Sequence, residues 1–237
     1  MQEFGTPRGA TVMHPTEAAL ASENGHLRTL RRAEQTMGMP AIRHHWTTAE
    51  VRTLMDDPRP GPRYELIDGE LIVTPAPAGP HQFAVAELMH LLRLYLDQEP
   101  IGRVLSSPAD LELRPGTICQ PDLFVVPVAS VLSDNETIAW SGVTKLLLAV
   151  EIISPSSVRT DRVTKRDHYM NAGVPDYLVV DADTRMFEHW NIARDTPMAF
   201  LDGWSWQPRG AVHPLQIALP EFFDRVAANQ RALIRQA

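Results

Sequence analysis

The chain has 237 residues, 44% hydrophobic and 22% charged, with 20 prolines. That is enough for one sizeable core plus appendages, joined by many turns. No run approaches the roughly 18 apolar residues of a membrane span, and the N-terminus lacks a basic segment followed by an apolar one, so a cytoplasmic protein is expected. Cys119, the only cysteine, excludes an internal disulfide and a cysteine-built zinc cage, and the formal charge of −7 argues against indiscriminate coating of nucleic acid. One segment runs against that charge: Lys145, Arg159, Arg162, Lys165 and Arg166 outnumber Glu151, Asp161 and Asp167 between Lys145 and Tyr169.

Residues 1 to 40 mix Pro, Gly, Thr and Ser without a sustained apolar period and read as a disordered extension to a single domain over 41 to 237. Removing them is expected to leave the melting temperature within a few degrees; a large loss would show that the extension docks on the domain. In "HHWTTAEVRTLMDD", Thr47 followed by Glu50 predicts a capping box and a short helix. "RYELIDGELIVTP" predicts a β-hairpin turning at Asp68-Gly69, where Gly69 supplies a positive φ. From His81 to Asp97 the stripe Val85, Leu88, Met89, Leu92, Leu96 predicts an amphipathic helix.

Short strands are expected near 103–105, 110–113 and 122–126, followed by "LLLAVEII", a run apolar enough for a strand covered on both faces. "TDRVTKRDHYMNAG" predicts a helix capped by Thr160 and stopped by Gly173. "DYLVVDA" and "MFEHWNIA" then form a strand pair, and "LPEFFDRVAANQRALIRQ" a closing helix. The whole is a mixed α/β domain, helices packed on a central sheet.

Within this frame Glu151 is the anomaly, a carboxylate in an apolar strand whose burial needs compensation by a metal ion or a hydrogen-bonding network. Asp122 opens another apolar strand 29 residues earlier. Two such strands side by side would bring the carboxylates together, a pairing that raises a pKa unless a cation lies between and that suits Mg²⁺ or Mn²⁺. Asp161, Lys165 and Tyr169 recur every four residues and share a helical face. An exposed Asp161–Lys165 ion pair is the plain reading of that spacing. Glu65 as an exposed strand residue and His81 as a helix-end residue are the plain readings of those two. HExxH, GxxxxGK[ST], GxSxG and GxGxxG motifs are all absent.

These residues, in this order, resemble the Uma-two family of the PD-(D/E)XK restriction-endonuclease-like superfamily. The matching pieces are "YELIDGELIV", His81 before the first long helix, "QPDLFVV", "VEIISPSS" and "DRVTKRDHYMNAGVPDYLVVD". The resemblance implies a nuclease core with a mixed sheet, and Mg²⁺ or Mn²⁺ held by Asp122 and Glu151. It also implies Glu65 and Lys165 as further catalytic residues, with His81 and Tyr169 as site support. The third residue of Glu151-Ile152-Ile153 departs from the superfamily lysine; Lys165, on the next helix, matches the Uma-two position. The activity implied is metal-assisted phosphodiester hydrolysis, with DNA as partner and a homodimer as an assembly to test. A nuclease fold that binds or regulates without cutting is the main rival, and a metal hydrolase of other phosphoesters a third reading.

Overall fold

The computed structural model describes residues 44–56, 62–75, 79–131, 140–154 and 157–236. The expected extension, residues 1–40, lies outside the described residues. Helix α1 (Thr48–Met55) starts from the expected capping box: Glu50 N–H donates to Thr47 Oγ1, and Thr47 N–H donates back to the Glu50 carboxylate. Strands β1 (Arg63–Ile67) and β2 (Glu70–Thr74) pair antiparallel with Ile67 opposite Glu70. Asp68 and Gly69 both take positive φ, 50° and 80°, the twist a two-residue hairpin of this hand needs. A Cβ on Gly69 would also lie 2.6 Å from the His45 ring, so glycine is fixed there twice over.

Helix α2 (Gly79–Gln98) buries His81, Ala84, Leu88, Leu92, Tyr95 and Leu96. The expected stripe is turned slightly, with Val85 and Met89 at its flank, half-buried against the same core. Six strands then form the central sheet in the order β3 (Gly102–Ser106), β4 (Leu123–Pro127), β5 (Leu148–Ile152), β6 (Asp176–Asp181), β7 (Met186–Asn191) and β8 (Met198–Phe200). Only the β5–β6 pair is parallel; every other neighbour is antiparallel. A parallel pair needs a crossover, supplied by a π-helical segment (Thr160–Lys165) that runs into helix α3 (Arg166–Asn171). β9 (Gly203–Trp206) and β10 (Leu215–Ala218) form a separate hairpin, and helix α4 (Leu219–Gln236) closes the chain as expected.

Alternation along the central strands explains why they read as continuous apolar runs. Leu123, Val125, Leu148, Val150, Ile152, Leu178 and Val180 face one core, roofed by α2, α4 and the stacked Trp204 and Trp206. Phe124, Val126, Ala149, Tyr177 and Val179 face the other, with Tyr169, Val174 and the loop strip at Leu111 and Cys119. Glu151 shares its parity with Ala149 and therefore points into the second core. Cys119 is fully buried there, a small apolar side chain with its Sγ 3.5 Å from Leu111 O.

Two local expectations are corrected. Residues 110–113 make no strand: only Leu111 pairs, with Cys119, through two hydrogen bonds of 2.9 Å. Pro108 and Pro115 offer no N–H on either side, and Arg114 O instead closes a turn with Thr117. Thr160 caps nothing, because the helical turn begins earlier, with Asp161 N–H donating to Ser157 O. Gly173, at φ 77°, does end α3 as expected.

Candidate active site

β1 alternates, so Arg63, Glu65 and Ile67 leave one face and Tyr64 and Leu66 the other. Tyr64 and Leu66 pack in one small core with Val51 of α1 and with Ile118. Leu66 and Ile118 exchange both backbone hydrogen bonds at 2.8 Å, which carries the next residues of that strip alongside Glu65. Gln120 N–H consequently donates to Glu65 Oε1 at 2.7 Å. The other oxygen, Oε2, lies 2.8 Å from Lys165 Nζ. Glu65 is completely buried, not the exposed strand residue its neighbours suggest.

Asp122 immediately precedes β4. The register pairs Leu123 with Val150, so one step outward brings Asp122 opposite Glu151. Ile152 N–H donates to Asp122 Oδ2 at 2.8 Å, tying the carboxylate to the end of β5. His81, held in the first turn of α2, donates from Nε2 to the same oxygen at 2.9 Å; a carboxylate only accepts, which places the ring proton on Nε2. Arg63 Nη1 donates at 3.0 Å to Asp122 Oδ1 and to Gln120 O. Burial alone would raise the Asp122 carboxyl, but His81, Arg63 and Lys165 outweigh it and bring it down to about 2.

Glu151 is the most enclosed of the central pair. Its Oε1 accepts from Lys165 Nζ at 3.0 Å and from the Tyr169 hydroxyl at 2.9 Å. Burial, with Asp122, Asp161 and Glu65 nearby, pushes it well above the usual carboxylate range in spite of Lys165. Asp161 Oδ1 stands 3.7 Å from Lys165 Nζ and is likewise raised, chiefly by burial. Lys165 is pushed the opposite way to a lone buried lysine: burial would lower it, yet Glu151, Glu65 and Asp161 together hold the ammonium charged. The expected exposed Asp161–Lys165 pair is thus overturned, since both are 2% exposed. The π-helical turn helps: positions four apart drift one way round an α-helix and the other way in the wider π turn, so Asp161, Lys165 and Tyr169 stay nearly in line.

The structure therefore brings all six sequence-derived residues together: Glu65, His81, Asp122, Glu151, Lys165 and Tyr169. Sequence reasoning missed Arg63 and undervalued Asp161. Arg63 had a usable signal, its i, i+2 parity with Glu65 in a strand whose other face is apolar.

Among the described residues no group of three His, Cys, Asp or Glu side chains is arranged to hold a metal ion. Charge and donor chemistry nevertheless fit a hard dication. Among the described residues, the four carboxylates of Glu65, Asp122, Glu151 and Asp161 share two permanent cations, Arg63 and Lys165. Burial chiefly, and the neighbouring acids after it, raise the carboxyls of Glu151 and Asp161. Carboxylate oxygens are the donors Mg²⁺ and Mn²⁺ prefer.

Asp122 is also a structural anchor, and Asp122→Asn should destabilise the metal-free fold by about 2 kcal/mol at neutral pH, the linkage value of its depressed carboxyl. The group is lowered, so its contribution is present above the unfolded carboxyl range near pH 4 and is lost as pH falls towards 2. Denaturant melts of wild type and variant at pH 7 and pH 3 should show the gap narrowing to roughly half at the lower pH; a constant gap would mean that Asp122 stabilises through packing alone.

A mixed six-stranded sheet flanked by helices, with an acidic cluster where the ends of two antiparallel strands meet, defines a restriction-endonuclease-like α/β protein. The Uma2 family model, described as "Putative restriction endonuclease", matches residues 50–219, and the chain belongs to that family. The same fold occurs in a crystal structure from Anabaena variabilis described as "a putative nuclease belonging to DUF820", at 21% identity and a TM-score of 0.61, over 74% of this chain and 98% of that one. No curated protein matches the chain. Among the described residues, no helix is long and apolar enough to cross a membrane.

Proposed function

We propose that this protein is a Mg²⁺- or Mn²⁺-dependent nuclease that hydrolyses phosphodiester bonds in DNA. The observation that carries the reading is Glu151: a nearly fully buried carboxylate, raised by burial and by its acidic neighbours, opposite a second carboxylate at the end of an adjacent strand. Asp122 and Glu151 would hold the ion. When bound, it supplies Lewis acidity towards a phosphate oxygen and makes water a stronger acid.

The remaining residues have distinct tasks. Lys165 is locked as an ammonium by Glu65, Glu151 and Asp161, so it serves as a fixed positive charge and hydrogen-bond donor, not as a base. Its part is to orient the attacking water or to stabilise negative charge that develops on the phosphate. Tyr169 and Lys165 fix the Glu151 carboxylate through Oε1, and among the described residues Oε2 accepts no hydrogen bond. His81 and Ile152 N–H fix Asp122.

The test is a cleavage panel of duplex DNA, single-stranded DNA and RNA, with Mg²⁺, Mn²⁺ or EDTA. Cleavage of DNA that EDTA abolishes and either ion restores is expected. Binding without cleavage under every condition would favour the non-cutting module, and cleavage confined to small phosphoesters would move the substrate class. Lys165→Ala should lose turnover while still binding Mn²⁺ in calorimetry, because removing the cation leaves the carboxylates more negative. Lys165→Arg should not restore full activity, since a planar guanidinium does not reproduce a compact ammonium among three acids. Unchanged turnover in the alanine variant would remove Lys165 from the chemistry.

A further inference from the structure

Arg63 differs from every other member of the cluster in exposure. Its side chain is 19% exposed, against 5% for Asp122, 9% for His81, 3% for Lys165 and 2% for Glu151. Among the described residues of the cluster, solvent reaches furthest at the Arg63 guanidinium. That guanidinium is only half used. Nη1 makes both hydrogen bonds, to Asp122 Oδ1 and Gln120 O, while among the described residues Nη2 and Nε donate to nothing. A guanidinium offers five N–H donors in a rigid fork, a shape matched to two oxygens of one phosphate.

Placement argues in the same direction. Arg63 begins β1, paired with Thr74 at the open end of the hairpin, and the strand alternation that buries Glu65 two residues later aims Arg63 towards the same carboxylates. An anionic backbone drawn towards Asp122 and Glu151 would otherwise meet a net negative surface. The guanidinium at the entrance provides the attraction that the acids behind it oppose.

Resting on the nuclease reading above, we propose that Arg63 is a substrate-binding residue: its free Nη2 and Nε edge takes a phosphate oxygen of the nucleic-acid backbone, while Nη1 keeps Asp122 in place. Nothing in the recognition is specific to a base, so the contact would act on any sequence.

The experiment uses the full chain and a fluorescein-labelled 20-base-pair duplex. Anisotropy titrations over a range of salt, in EDTA and in Ca²⁺, compare wild type with Arg63→Lys, and thermal melts are run beside them. Lysine keeps a cation for Asp122 but lacks the fork. Arg63→Lys is expected to melt within a few degrees of wild type, to bind the duplex about 10-fold or more weakly, the scale of one charge-assisted hydrogen bond, and to lose nearly equal affinity for unrelated sequences. Equal affinity of variant and wild type, with equal melts, would leave Arg63 as the clamp on Asp122 and overturn the proposal alone. Wild-type protein that binds no duplex in either condition would overturn the nuclease reading as well. Should Arg63→Lys fold poorly, wild-type protein answers the question by phenylglyoxal modification read by peptide mass spectrometry: the duplex should shield Arg63, and unchanged modification overturns the assignment.

Discussion

Glu151→Gln is expected to cut DNA cleavage by at least about 10²- to 10³-fold, the scale on which losing one pre-organised electrostatic group is felt, while leaving the metal-free protein as stable as wild type or more so. A residue kept for structure behaves in the opposite way. Glu151 is pushed well above the usual carboxylate range by burial and by Asp122, Asp161 and Glu65, so its ionised form is a net cost to the fold at neutral pH. For a raised group the stabilising contribution is full below the unfolded carboxyl range, near pH 4, and fades as pH rises towards the folded value. Wild type should therefore gain on Glu151→Gln as the metal-free proteins are taken from pH 8 to pH 5. His168, drawn down to about 4 by burial and by Arg114, works against both proteins over that range, and comparing the two cancels it. Mn²⁺ should raise the melting temperature of wild type only, by ligand linkage worth about 2.7 kcal/mol at a hundredfold excess over Kd. A strongly destabilised metal-free variant, together with no response of wild type to Mn²⁺, would sink the metal assignment.

Lys165→Met is expected to destabilise the metal-free fold by about 3 to 5 kcal/mol at neutral pH, the scale of removing one partner from a buried charged group. Methionine fills much of the same volume, so the loss reports charge more than cavity. With the ammonium gone, Glu65, Glu151 and Asp161 face one another without their shared cation. Glu151 and Asp161, already raised by burial, should then bind a proton more readily still in the folded protein, so stability should recover as pH falls from 7 to 5. Denaturant midpoints across that range measure it. A midpoint close to wild type at pH 7 would show that the three acids do not depend on Lys165.

Much of this was legible in the sequence because each signal was local. Asp68-Gly69 announced the hairpin, Thr47 and Glu50 the first helix, and the apolar run around Glu151 a strand covered on both sides. Glu151 itself was legible as a violation, since a carboxylate in such a run needs a partner somewhere. What escaped were quantities set by contacts far apart in the chain. Burial of Glu65 depends on the bridge between Leu66 and Ile118, some fifty residues away, and no pattern within "RYELIDG" encodes it. Asp161 and Lys165 looked like a surface pair because i, i+4 spacing is identical whichever way the face points. Only the parallel docking of β6 beside β5 turns that face inward. The π-helical turn had no signal at all, and Thr160 failed as a cap because the helix nucleates at Ser157.

The single thiol offers a clock. Burial holds Cys119 protonated, and thiol reagents attack the thiolate, so the folded protein should be silent towards them. Cys119 is adjacent to Gln120, whose N–H secures Glu65, and its own backbone is tied to Leu111. Each labelling event would therefore mark a moment when that strip parts and the acids behind it meet water. Labelling rates at rising denaturant would separate such partial openings from complete unfolding, timing the exposure of the cluster without a substrate or a metal.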